Sequence, residues 1–339
     1  MQSILPSIDL LRYRVFLRVN ASYVRVFPDF PMRLSYALGE VIRQQISLGR
    51  DGRRWRSALS AWDECGWPRA LADKKPAQIP QWPDIRWPVE TVFVVQPQKR
   101  FYGKGELFGF EIKLLGPKAS HAFFLESILP GLEVLGYTDS PTDKNAHNLL
   151  GHFDVAQVYV ARGLHWEPVV QDGKVDLHMQ PDTHQWAEGW PFAFPAENIE
   201  VCGIYWETPC VLDQTSSSHQ RGKSVSHPEF TDLLAACLER MASLSPQAAG
   251  SVDILWQQLT TEEQIDLLHT VEEARRVKVG THSIKLTQTK WGCPRGLTGE
   301  QYFSPDVPAS AIPYLELGSI LHIGNYAHFG YGTFQLKMK

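Results

Sequence analysis

The sequence lacks any long hydrophobic run and contains few cysteines. No segment approaches the roughly 18 consecutive apolar residues that a membrane-spanning helix needs. Residues 1–11 do not combine a basic region with an apolar core, so we expect no secretory signal. The five cysteines are odd in number and scattered, without a CxxC pair. A zinc site and a disulfide framework are therefore not expected, and a reducing, cytoplasmic location is favoured.

Two further absences narrow the possible chemistry. The sequence has neither a Walker motif nor a GxGxxG motif after a predicted strand, which argues against a nucleotide cofactor. Acidic residues form no cluster of the kind that a metal-dependent nuclease needs. The histidine pairs His178–His184 and His147–His152 do not share one helical turn with a carboxylate. We therefore expect no cofactor and no metal site.

Positive charge is concentrated in particular segments, although the formal net charge is -4. Residues 1–60 contain ten arginines against four acidic residues, and the remainder of the chain is acidic. Arginine is favoured over lysine where a planar donor must grip phosphate. A solvated basic face without a ligand is the alternative. A second basic cluster consists of Arg275, Arg276, Lys278, Lys285, Lys290 and Arg295.

The first half of the chain alternates strand and helix patterns. Apolar and polar residues alternate over 12–22, which predicts a half-buried strand. A helix is predicted over 32–46, with an inward stripe of Leu34, Leu38, Val41 and Ile42 and an opposite face of Arg33, Tyr36, Glu40 and Arg43. Strands at 89–95 and 108–115 and a helix at 118–135 complete a split βαβ, ferredoxin-like pattern.

The second half repeats this plan. A strand at 199–212 precedes a helix that ends near Leu244, with a capping box predicted from Ser226 to Glu229. An inserted helix at 261–277, strands at 282–291 and 300–303, a helix at 309–321 and a strand at 333–338 follow. The sequence thus predicts an α+β fold with two domains, 1–145 and 146–339, each an antiparallel sheet with helices on one face. An irregular arm is predicted over 165–195.

A glycine-rich segment closes the chain, with the sequence LGSILHIGNYAHFGYGTFQL at 317–336. Gly330 and Gly332 immediately precede the last predicted strand. Glycines allow positive φ and let backbone N–H groups approach an anion closely. A tight structural turn is the alternative interpretation. Tyr326 and Tyr331 could stack on bases, and packing of Tyr331 in the core is equally compatible with the pattern.

This segment resembles the glycine-rich loop of the CRISPR repeat-RNA processing endoribonucleases of the RAMP superfamily. Five further segments resemble that family in the same order: 12–19, 30–39, 108–116 ending in LLG, 204–212 with a TP break, and 289–302 with GLTGEQYF. The resemblance implies tandem ferredoxin-like (RRM-like) domains. It also implies sequence-specific binding and metal-independent cleavage of CRISPR repeat RNA, in which the 2′-hydroxyl attacks and leaves a 2′,3′-cyclic phosphate. Other CRISPR effector or adaptation proteins are the further partners it implies, with no DNA cofactor and no membrane.

The chain departs from the family at the catalytic position. Many members carry a catalytic histidine near the first helix, but here no histidine precedes His121. The corresponding position falls at about Tyr36, with Arg33 one turn earlier. Tyrosine, with a pKa of about 10, is a poor base unless nearby cations lower that pKa.

The resemblance, together with the second basic cluster, predicts two sets of site residues, with a solvated face as the alternative for the cluster. The catalytic set is Arg33, Tyr36 and His328. The RNA-binding set is Arg43, Arg275, Arg276, Lys278, Lys285, Lys290, His322, Gly324, Asn325, Tyr326, Gly330 and Gly332. Position at the end of an apolar helix favours a structural role for His322. Two alternatives remain open: a non-catalytic RNA-binding subunit, and a scaffold subunit of a CRISPR effector complex.

Overall fold

The structure is a computed structural model, which describes residues 8–27, 30–47, 90–94, 99–137, 148–171, 173–189, 200–212, 227–248, 250–287 and 295–339. These residues fall into two units. The N-terminal unit holds those between Leu10 and Glu188. The C-terminal unit holds Ile8, Asp9 and those between Gly189 and Lys339. None of the helices in the covered ranges has the length and apolar character of a membrane span.

An antiparallel sheet forms the N-terminal unit. Its strands are β1 (Leu10–Val19), β3 (Glu90–Val94), β5 (Leu107–Leu115), β6 (Phe153–Arg162), β7 (His165–Gln171) and β8 (Lys174–Val175). Their spatial order is β3-β5-β1-β6-β7-β8. A separate ribbon pairs β2 (Tyr23–Arg25) with β4 (Phe101–Gly103). Along β1, Tyr13, Val15 and Leu17 are buried while Arg14 and Arg18 are exposed, which confirms the predicted half-buried strand.

Two helical segments of this unit contribute to its core. In α1 (Phe30–Ser47), Leu34, Leu38 and Ile42 of the predicted stripe are buried, Val41 is partly buried against the core, and Phe30 is buried as well. The second segment begins with a turn at His121–Phe123 and a π-helical stretch at Phe124–Ile128, and continues as α2 (Leu129–Tyr137). A Cβ atom at Gly131 of α2 would lie 2.6 Å from Cδ1 of Leu38. The missing side chain therefore lets the two helices approach closely.

The C-terminal unit repeats this arrangement. Its strands are β9 (Val201–Cys210), β10 (Lys278–His282), β11 (Lys285–Leu286), β12 (Leu297–Ser304) and β13 (Phe334–Met338). They pair in the order β10-β12-β9-β13, with β11 beside β12. The helices are α3 (Phe230–Leu244), α4 (Val252–Gln258), α5 (Thr261–Ala274) and α6 (Ile312–Leu321).

The strand order identifies the fold of both units. In each, the first strand lies between the third and fourth strands of the motif, and the second strand lies beside the third. All the pairs within these two sheets are antiparallel. This is the order of the ferredoxin-like βαββαβ motif. The predicted α+β fold of tandem ferredoxin-like domains is confirmed.

The division between the units comes later in the chain than the predicted boundary at 145 and 146. Strand β6 pairs with β1, so it completes the first sheet. Strand β7, inside the predicted irregular arm 165–195, extends the same sheet by pairing with β6. The mixed composition of β7 does not predict a strand, because strands pair through backbone hydrogen bonds, which do not require regular alternation of side chains.

The start of α3 corrects the predicted capping box. The N-cap residue is Glu229 rather than Ser226, and the Asp232 carboxylate accepts a hydrogen bond from the Glu229 backbone N–H at 3.0 Å. A second capping box opens α5, where the Thr260 hydroxyl accepts from the Glu263 backbone N–H at 3.3 Å. In both cases the third residue of the helix is acidic, which suits the positive end of the helix dipole.

Candidate nucleic-acid interface

The glycine-rich segment 317–336 turns the chain from α6 into β13. Positive φ angles occur at Gly324 (80°), Gly330 (77°) and Gly332 (84°), and also at His322 (64°) and Tyr326 (65°). A non-glycine residue in this conformation costs about 1–2 kcal/mol. Such residues persist where the surrounding contacts hold the backbone in place. The surrounding contacts therefore hold the backbone of this segment in one defined loop conformation.

The backbone of this loop is bonded to the end of β9 and the residues after it. The N–H of Gly332 donates to the Pro209 carbonyl at 2.8 Å, and that of Asn325 donates to the Val211 carbonyl at 2.8 Å. A Cβ atom at Gly332 would lie 1.9 Å from the Ile323 carbonyl oxygen. Here glycine permits close approach within the protein. These two N–H groups are engaged inside the unit, which supports the structural-turn interpretation for this part of the loop.

The side chains of the loop differ in their access to solvent. His322 is fully buried, and its Nδ1 lies 2.8 Å from the Tyr331 carbonyl oxygen. His328 is 9% exposed, with its ring centroid 4.0 Å from that of Phe329. Asn325 is exposed and Tyr326 is partly exposed, while the backbones of Gly330 and Gly332 are buried. Of the predicted loop residues, Asn325 and Tyr326 therefore offer the most accessible contacts, and His322 has a structural role.

The first helix places Arg33 against an aromatic ring that also contacts Arg25, an arginine that sequence reasoning did not single out. The guanidinium carbons of Arg33 and Arg25 lie 5.1 Å and 4.9 Å from the centroid of the Phe27 ring. Both distances are within the range of a cation–π interaction. The side chains of Tyr36 and Arg43, on the same helix, lie outside the described residues.

The predicted second cluster is centred on an exposed stretch that we call the basic segment, residues 275–287. It contains Arg275, Arg276, Lys278 and Lys285 and no acidic residue, and all four cations are exposed. In the described part of the chain, none of the four forms an ion pair with a carboxylate. β10 in this segment is an edge strand of the sheet. Lys290 lies outside the described residues, and Arg295 is exposed.

The structure also brings two histidines together at the basic segment. The ring centroids of His227 and His282 lie 4.6 Å apart. His282 is exposed on β10, and His227 is partly exposed just before α3. No periodicity connects residues 55 positions apart, because their proximity depends on where β10 lies in the sheet. The described residues contain no group of three or more His, Cys, Asp or Glu side chains able to hold a metal ion.

Comparison with known proteins agrees with this arrangement. Residues 204–334 match the family model described as CRISPR-associated endoribonuclease Cas6. The predicted resemblance is confirmed. This Cas6-type region contains the basic segment and most of the glycine-rich segment. No curated protein has a sequence that matches the chain.

Two solved structures with TM-scores above 0.5 show a similar fold. A chain of a partial Cas6-RT-Cas1–Cas2 complex is similar to this protein, with a TM-score of 0.54 and 14% identity over 99% of this chain and 47% of that one. The Cas6-RT-Cas1–Cas2 complex gives a TM-score of 0.54 and 14% identity, over 99% of this chain and 30% of that one. Thermus thermophilus Cas6 gives a TM-score of 0.42 and 13% identity, over 97% of this chain and 99% of that one. The chain thus spans less than half the length of the first two matched chains.

Proposed function

We propose that the chain binds CRISPR repeat RNA and cuts it to release guide RNAs. The observation that carries this proposal is the basic segment, where four exposed cations lie within the Cas6-type region without an acidic neighbour in the segment. Cations in such a position release the counterions of phosphates, which supplies most of the free energy of non-specific RNA binding. Asn325 and Tyr326 of the glycine-rich loop add a hydrogen-bonding group and a ring.

The proposed reaction needs no metal ion. The 2′-oxygen loses its proton to a base and attacks the adjacent phosphorus, and the bond from phosphorus to the 5′-oxygen breaks. The leaving 5′-oxygen takes a proton from an acid. The products are a 2′,3′-cyclic phosphate and a 5′-hydroxyl. Proton transfer of this kind contributes about 10²–10⁴-fold to the rate, and cations beside the phosphorane contribute further.

Three residues are assigned to this reaction. Tyr36 is the candidate for one of the two proton transfers, and His328 is the candidate for the other. Arg33 stabilises the charge on the phosphorane. Arg33 is partly exposed on α1, as contact with RNA requires. His328 is 9% exposed, so only a small part of its ring is accessible to a substrate. These assignments stay predictions, and each can be tested by a single substitution.

Labelled repeat RNA incubated with the protein in EDTA tests the proposal. We expect one cut within the repeat, with a 2′,3′-cyclic phosphate on the upstream product and a 5′-hydroxyl on the downstream product. A 3′-hydroxyl with a 5′-phosphate, or cleavage that requires added magnesium, would contradict the reaction. A scrambled RNA of equal length and composition is the control for sequence specificity.

The second candidate function is repeat-RNA binding without turnover. The observation that favours it is the sequence of α1, which contains no histidine. In the same experiment this function gives a stable RNA complex and no product. Absence of both binding and cleavage would leave only the scaffold role.

The structural similarity suggests which protein partners to test. We propose that reverse transcriptase, Cas1 and Cas2 are partners, because the fold matches a chain of a Cas6-RT-Cas1–Cas2 complex. Co-purification of the tagged chain with these proteins from the same CRISPR locus would test the proposal. Elution of the chain apart from all three at matched concentrations would contradict it.

A further inference from the structure

The N-terminal sheet presents a surface that the proposed function does not use. Alternate residues of β1 point away from the helices, and they are followed across the sheet by residues of β6 and β7. We call this surface the arginine face; it consists of Arg12, Arg14, Phe16, Arg18, Tyr159 and Trp166. Arg14 and Arg18 are exposed, and Phe16, Tyr159 and Trp166 are partly exposed.

Rings and guanidinium groups contact one another on this face. The guanidinium carbon of Arg14 lies 4.1 Å from the centroid of the Trp166 ring, and that of Arg12 lies 5.5 Å from it. The rings of Phe16 and Tyr159 meet edge to face, with centroids 6.0 Å apart. Arg14 lies directly across from Tyr159 in the strand register. The guanidinium plane and the two rings are thus neighbours on one surface.

The position of Phe16 depends on a glycine. A Cβ atom at Gly109, the residue across from Phe16 on β5, would lie 2.9 Å from Cε1 of the Phe16 ring. The ring therefore lies against the bare backbone of the neighbouring strand. This contact positions a large aromatic side chain on a face that remains partly exposed.

The face carries an excess of positive charge. Arg12 donates to a Glu111 carboxylate oxygen at 2.7 Å, and these two side chains are 13% and 16% exposed. Burial of Glu111 by itself raises its pKa, but Arg12, Lys113 and Arg14 outweigh that effect and lower the pKa below its usual value. Glu111 and Asp154, which lies across from Arg18 in the register, are thus two carboxylates against Arg12, Arg14, Arg18 and Lys113, and an excess of positive charge remains.

The corresponding face of the C-terminal sheet is different. Tyr205 is exposed in the middle of β9, and its neighbours across the strands are Glu300 and Gln335. Glu207 lies on the same face and accepts a hydrogen bond from Gln335. Glu300 pairs with Lys337 at 2.6 Å, and no arginine lies across the strands from Tyr205. An arginine-rich aromatic face is therefore particular to the N-terminal sheet and does not follow from the fold.

We propose that the arginine face is a binding site for single-stranded RNA, with bases stacked on the Arg14 guanidinium plane and on the Phe16 and Tyr159 rings. Aromatic rings and arginine planes are the groups on which proteins stack unpaired bases. The exposed charge of Arg14 and Arg18 attracts the phosphates. The inference rests on the proposed function for its choice of RNA, and it assigns the single-stranded flank of the repeat to this face.

Fluorescence anisotropy with labelled oligouridine and the full chain tests the site. Arg14→Ala and Phe16→Leu should each weaken binding by about fivefold or more, because one stacked base contributes on the order of 1–3 kcal/mol. Leucine keeps an apolar cover over Gly109, so the sheet should remain intact, and an unchanged melting temperature checks this. Tyr205→Ala removes a more exposed ring from the other sheet and should leave affinity unchanged.

Equal affinity of wild type, Arg14→Ala and Phe16→Leu would overturn the site and leave the face to an acidic protein partner. A loss in Tyr205→Ala as large as in Phe16→Leu would also overturn it. Cleavage of repeat RNA in EDTA is measured in parallel. If the repeat is cut while oligouridine binding ignores the face, only this inference fails. If oligouridine binding depends on the face and the repeat is neither bound nor cut, only the proposed function fails.

Discussion

Neutralising the basic segment should flatten the salt dependence of repeat-RNA binding. The perturbation is the replacement of Arg275, Arg276, Lys278 and Lys285 by glutamine. All four side chains are exposed, so the substitutions should not disturb the core. None of the four is paired with a carboxylate in the described part of the chain, so each charge is available to a phosphate.

The magnitude follows from counterion release. For a single strand, the slope of log affinity against log salt is about -0.7 for each neutralised phosphate. Four contacts therefore contribute about 2.8 to the slope. Between 50 mM and 200 mM salt, wild-type affinity should fall about 50-fold more than that of the quadruple variant.

The assay is a filter-binding titration at several salt concentrations with one labelled repeat RNA. The matched control replaces three exposed lysines of the N-terminal unit, Lys104, Lys118 and Lys174, by glutamine. This control should keep the wild-type slope. An unchanged slope in the quadruple variant, or an equal reduction in the control, would refute the assignment of phosphate contacts to the basic segment.

Three further predictions concern the loop, the sheet and the first helix. In calorimetry, Gly332→Ala should destabilise the fold far more than Gly105→Ala, because a carbonyl oxygen lies 1.9 Å from the Cβ added at Gly332 and nothing lies within 4 Å of the Cβ added at Gly105. Both residues have positive φ, so backbone strain alone should cost about 1–2 kcal/mol at each, and equal losses of stability would contradict this reasoning. The pKa of Glu111 is lowered in the folded protein, so this carboxylate stabilises the fold above its unfolded pKa of about 4.5, and the stabilisation is lost as pH falls through the folded pKa. The free energies of unfolding in urea of wild type and Glu111→Gln should therefore converge in acid, and a difference between them that does not change with pH would count against the Arg12 pairing. Tyr36→Phe should slow cleavage in EDTA by about 100-fold or more with nearly unchanged RNA affinity, and cleavage at the wild-type rate would remove Tyr36 from the catalytic assignment.

Local pattern was sufficient for most of the secondary structure. The spacing of Leu34, Leu38 and Ile42 predicted the buried stripe of α1, and alternation along β1 predicted which side chains are exposed. The glycine-rich segment and the exposed cations at 275–287 could also be recognised from composition alone. These features depend on residues a few positions apart, so a one-dimensional reading captures them.

Contacts between distant residues were decided only by the tertiary structure. The extension of the first sheet by β7, the meeting of His227 with His282, and the stacking of Arg14 on Trp166 all depend on which strands pair and in which register. Buried His322 has a polar partner in the carbonyl oxygen of Tyr331, which lies nine residues later in the loop. By itself, the sequence determined which segments have one apolar face and where charge is concentrated. Strand pairing then decided which exposed side chains share a surface, because register brings together residues that have no regular spacing along the chain.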